Sequence, residues 1–153
     1  MNAAERWGLP ADFQPVRFDI MDDVKEAMRP LLQANEPVIV SLTNRTGSVT
    51  ILATPYRLFA IKTGELSSSG VSGCNIKEYP WAGITRLVGQ QAADNLRLAI
   101  HYQSINGKTV EVGRRAAMGR PAVDNLTPFD RDKGHEALAA LNAIWESRSR
   151  ADA

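Results

Sequence analysis

Five arginines are the residues of this chain best suited to gripping another molecule. Arg114, Arg115 and Arg120 form its densest basic cluster, and Arg45 and Arg57 each sit at a tight turn. A guanidinium offers planar, paired N–H groups that match a phosphate or a carboxylate. If folding gathers Arg45, Arg57, Arg114 and Arg115 on one rim, that rim is a site for an anion or an acidic partner. The competing reading is solvated loop charge. Aromatic residues are the second resource. Trp7, Phe13 and Phe18 lie in an aperiodic opening stretch, free to dock on the domain or on a neighbour. Trp81, in a Pro-Trp-Ala-Gly turn, reads first as a core plug and second as an interface anchor.

Catalytic patterns are weaker. His101 falls on the polar face of a strand with no second His or carboxylate at metal spacing, and His135 reads as a surface helix residue beside Asp132 and Glu136. Gly70-Val71-Ser72-Gly73-Cys74 misses the second glycine of a nucleophile elbow. Cys74, the single cysteine, has no visible histidine to activate it. Asp22-Asp23 reads as helix-start charge. Neither a dinucleotide fingerprint nor a P-loop occurs. We therefore expect no enzyme, no cofactor and no metal.

Composition narrows the class. The chain has 153 residues, 44% apolar and 23% charged, with a net charge of +1. That suits one domain with a real core. It lacks the basic excess of a nucleic-acid binder. One thiol cannot form an internal disulfide, which points to a reducing, cytoplasmic setting. The opening residues carry no apolar signal-peptide core, and no apolar run approaches the ~20 residues of a transmembrane helix.

These side chains need elements to hold them. Residues 1–18 read as an extended arm, and residues 19–150 as a single domain. Ile20, Val24, Ala27, Met28 and Leu31 predict a helix over 19–34, kinked or broken near Met28 by Pro30. Seven strands are then predicted at 38–44, 48–54, 56–62, 75–79, 84–90, 95–102 and 108–114. Gly47 serves a hairpin loop, and Pro55 presets the turn Thr54-Pro55-Tyr56-Arg57. Leu96, Leu98, Ile100 and Tyr102 give the cleanest alternation. Asn106-Gly107 predicts a hairpin joining strands six and seven. Residues 115–131 read as irregular. A last amphipathic helix covers 132–148, capped by Asp130 or Asp132.

Seven antiparallel strands closed by a C-terminal helix resemble the bacterial pleckstrin-homology-like (PH-like) domain family. Leu52-Ala53-Thr54-Pro55-Tyr56-Arg57-Leu58 is similar to the family's L-T-x-x-R-L hairpin signature. Ile76-Lys77-Glu78-Tyr79-Pro80-Trp81-Ala82-Gly83-Ile84-Thr85 is similar to its next signature. The likeness spans residues 35–145. It implies a mainly β (α+β) fold, a seven-stranded antiparallel barrel or sandwich capped by a C-terminal helix, here with an extra N-terminal helix. It also implies a non-catalytic module, often self-associating. Phosphoinositide-binding relatives place several basic residues around the first loop, whereas VIVSLTNRTGSVTIL offers only Arg45.

The expected function is a non-catalytic PH-like interaction module acting through self-association or protein binding. The alternative is a peripheral anion or lipid-headgroup binder with weak attachment to a membrane surface. The candidate binding residues are Arg45, Arg57, Arg114, Arg115, Trp7 and Phe13. The expected partner is a protein or a second copy, as a homo-oligomer, and not nucleic acid.

Overall fold

Strands at 40–63 fold back and forth because each of the first two apolar runs is followed by residues that turn. The structure is a computed structural model and describes residues 3–63, 74–103, 110–111, 114–115 and 121–151. Strands β2 (Val40–Thr43), β3 (Val49–Ala53), β4 (Arg57–Thr63) and β5 (Cys74–Pro80) form an antiparallel meander. Between β2 and β3, Gly47 takes φ +76°, and the Asn44 side chain accepts from the Val49 amide at 3.1 Å. Between β3 and β4, the Thr54 hydroxyl accepts from the amides of Tyr56 and Arg57 at 3.1 and 3.2 Å.

Every residue of β3 is buried. The reason is cover on both faces. Val49, Ile51 and Ala53 meet the main core, while Leu52 joins Phe59, Ile61 and Ile76 under Val24 and Met28 of helix α2 (Asp22–Met28). The predicted 19–34 helix is shorter than its periodicity suggested. At its start, the Phe18 amide donates to Ser41 and the Phe18 carbonyl accepts from the Ser41 hydroxyl, so the chain is still tied to β2. At its end, Pro30 has no N–H to continue, and Leu31 and Leu32 bond back to the Met28 carbonyl.

The opening residues are docked onto the domain. A helical turn α1 (Ala3–Arg6) is followed by β1 (Val16–Arg17), which pairs parallel with β2. Ala4, Leu9 and Phe13 are buried in the main core.

The second sheet is built on β7 (Asn95–Gln103), which pairs with β6 (Ile84–Ala92) from Asn95 to Tyr102. The other edge of β7 is shared by β10 (Pro121–Asn125) and β11 (Phe129–Asp130). The irregular reading of 115–131 therefore needs correcting. Pro121 is tolerated because it opens its strand. Strand seven is corrected as well. It is present as β8 (Val110–Glu111) beside β5 and β9 (Arg114–Arg115) beside β8, not along strand six. The edge it was assigned is already occupied. Asn106-Gly107 lies outside the described residues, as do residues 64–73.

Helix α3 (Arg131–Ala151) runs across β2, β6 and β7. Asp130 caps it, accepting from the Lys133 amide at 3.0 Å. Ala137, Leu141 and Ile144 enter the core shared with Phe129, Leu96 and Leu98. Gly134 allows that approach, since a Cβ there would lie 3.1 Å from the Leu96 Cβ. The result is mainly β, 41% strand against 28% helix, in two sheets with a C-terminal helix and no closed barrel among the described residues. In the described residues no helix is long and apolar enough to cross a membrane.

Candidate functional site

The turn at 54–57 is where side chains from distant elements converge. Arg57, at its end, grips Glu36 with Nε to Oε2 at 2.8 Å and Nη2 to Oε1 at 2.7 Å. Nη1 reaches Glu78 Oε1 at 3.0 Å, and Nη2 also donates to the Leu31 carbonyl at 2.7 Å. Its guanidinium lies 4.8 Å above the Phe59 ring. The Glu36 side chain is 1% exposed and also accepts from Thr54 Oγ1 at 2.7 Å. Burial pushes the Glu36 carboxyl up, but bonds from Arg57, Thr54 and the Gln33 amide outweigh it and hold it below the ordinary value. The bonds to Glu36, against burial, raise the Arg57 guanidinium further still. Two carboxylates thus neutralise Arg57, leaving little donor capacity for an outside anion.

Arg45 is also engaged internally. Its Nη2 donates to the Asp94 carbonyl at 3.2 Å and to Asp130 Oδ1 at 3.0 Å, tying the β2–β3 loop to the start of α3. The Lys133 amide first, then Arg45, hold the Asp130 carboxyl low. Arg45 and Arg57 flank β3 at opposite ends, about 17 Å apart at ~3.4 Å per residue. Arg114 and Arg115 sit on β9, three strands across from β4 in the order β4-β5-β8-β9. The backbone positions of these four arginines thus lie in different parts of the first sheet.

The aromatic candidates separate too. Phe13 is buried at 8% exposure and belongs to the core. Trp7 is half-buried against that core. Trp81 is a plug, 3% exposed, with Nε1 donating to the Thr54 carbonyl at 3.0 Å. One side of Trp81 nevertheless lines an open cleft of about 550 Å³ with Trp7, Pro55, Tyr56, Pro80, Arg6 and Arg148. Tyr56 is 49% exposed there. Arg148, from α3, donates Nε to the Pro55 carbonyl at 2.8 Å and Nη2 to the Trp7 carbonyl. It holds the opening residues against the 54–57 turn. Both acceptors are neutral, and among the described residues Arg148 has no ion pair.

A second polar cluster was not anticipated. Lys77 on β5 meets Asp124 on β10 at 3.2 Å, and the Tyr79 hydroxyl donates to the same carboxylate. The Lys77 ammonium lies 5.8 Å from the Tyr79 ring and 5.3 Å from the Tyr102 ring. Burial pushes Lys77 down, but Asp124 and Tyr102 outweigh it and raise it. The cluster bolts one sheet to the other. Lys77 shares a strand face with Tyr79, the only local signal; its partner is 47 positions away in an unpatterned segment.

His135 Nε2 pairs with Gln91 Oε1 at 3.0 Å on the surface, and His101 lies mid-strand on β7. Among the described residues no three His, Cys, Asp or Glu side chains gather to hold a metal. No family model, curated protein or solved structure matches the chain.

Proposed function

We propose that this chain is a non-catalytic PH-like interaction module that binds another copy of itself or another protein. The cleft at Trp7, Tyr56 and Arg148 carries this reading. It gathers aromatic surface and a guanidinium that has no ion pair among the described residues in one concave place, the combination that anchors protein interfaces. The L-T-x-x-R-L-like turn at 54–57 supplies its floor, so the stretch that motivates the PH-like reading also builds the surface.

Sedimentation velocity of the full chain over rising concentration, with a photo-cross-linking residue at position 56, tests the reading. The expected result is a species heavier than a monomer, or a protein adduct formed from position 56 in preference to one placed at Arg97. A strict monomer giving no protein adduct from position 56 would overturn it.

A further inference from the structure

The cleft has a counterpart elsewhere on the same chain. Among the residues lining it, Arg6 and Arg148 are charged and none is acidic. Arg6 is exposed, and among the described residues neither arginine has an ion pair. Trp7, Tyr56 and Trp81 are the aromatic residues of the cleft's lining. The matching occupant is apolar, slim and flanked by carboxylates.

The segment leading into α2 has those properties. Met21 is 44% exposed, one of four exposed large apolar side chains among the described residues. Asp19 and Asp22 flank it and are both exposed. Lys25 approaches Asp22 only at 3.8 Å, with the Asp22 side chain 99% exposed, so water screens that pair. A thioether also packs well against aromatic edges.

The two patches lie at opposite ends of the first sheet. The Met21 sulphur sits over Gly47, 2.9 Å from where a Cβ would be, at the loop before β3. Pro55 and Tyr56 follow β3. About 17 Å of strand separates the ends, so a molecule cannot place its own Met21 corner in its own cleft.

Building on the self-association reading, we propose that copies of this chain associate head to tail, with the Asp19–Met21–Asp22 corner of one seated in the Trp7–Tyr56–Arg148 cleft of the next. Such a contact joins two different surfaces and leaves one of each free, so it propagates into rings or filaments instead of stopping at a two-fold dimer.

Charge exchange tests this directly. Arg6→Glu and Asp22→Arg alter exposed side chains, and unchanged melting temperatures confirm that both variants fold. Each alone is expected to weaken self-association by about tenfold, the worth of one well-placed interfacial charge pair. Mixing the two variants restores association, because each then meets an oppositely charged surface. Tyr56→Ser, uncharged, also weakens it. Variants that associate like the parent, or a mixture no stronger than its components, overturn the head-to-tail contact while leaving self-association standing. A parent chain that is monomeric throughout overturns the contact as well. In that case adducts from position 56 with a different protein decide the broader reading separately.

Discussion

Arg57 and Arg148 bring the same guanidinium to the same turn and are answered in different ways. Arg57 meets two carboxylates and a ring, and its side chain is 19% exposed. Arg148 meets two backbone carbonyls and keeps its charge. The first arrangement locks residues 31–36 to the hairpin. The second clamps the opening residues in place and leaves a cationic, aromatic hollow. Charge that is cancelled inside a fold holds the fold together; charge that is merely held in position is left for something else. The contrast separates scaffold from surface around one turn.

The largest effect should come from breaking the cancelled pair. Glu36→Ala removes the buried one of the two carboxylates on Arg57, leaving the half-exposed Glu78 alone to offset that charge, and is expected to lower unfolding stability by about 3 kcal/mol, read by urea denaturation. The double variant Glu36→Leu with Arg57→Met should recover most of that loss, because the two buried charges go together and only Glu78, exposed enough to be hydrated, loses its partner. No recovery would mean that the pair does more than cancel itself.

Stability should also fall at both pH extremes. Glu36 and Asp130 are held below their ordinary values. Their contribution is present above the unfolded carboxylate range of ~4 and is lost as pH falls through the folded values. Lys77 is raised, so its contribution is complete below the unfolded value of ~10.4 and is lost as pH climbs through the folded one. Melting temperatures across pH should trace that plateau, and Glu36→Gln should shrink the acid limb.

Asp124→Ala leaves Lys77 unpaired between the sheets and is expected to cost about 2 kcal/mol. Arg148→Met loses two bonds to neutral acceptors in a half-exposed place, about 1 kcal/mol, and should expose residues 3–18 to protease. If it costs as much as Glu36→Ala, the contrast between the two arginines collapses. Tyr56→Ser should move stability by less than about 0.5 kcal/mol while still weakening association. A large destabilisation there would make Tyr56 scaffold and not surface.

How much of this could be read without a fold depends on the range of the interactions involved. The meander at 40–63, β6, β7 and α3 were legible because alternation, a left-handed glycine and a capping aspartate act within a few residues. The break at Met28 was legible from Pro30 for the same reason. The start of α2 was not, since the Ser41 bonds that retain Phe18 come from 23 positions away. The strand at 121–125 was missed because its pattern is weak and its reason for forming is the open edge of β7 together with Lys77.

The site divides along the same line. The sequence by itself determined that 54–57 is a turn, that Arg57 sits at its end, and that Trp7 and Trp81 are rings looking for somewhere to pack. Only the tertiary structure decided that Arg57 belongs to Glu36, 21 residues earlier, and that Arg148 joins Trp7 to Pro55 across 141 and 93 positions. A turn is chosen by the conformational preferences of its own few residues. Which charge is cancelled and which is left bare depends on what folding brings within 3 Å, and no local pattern encodes that.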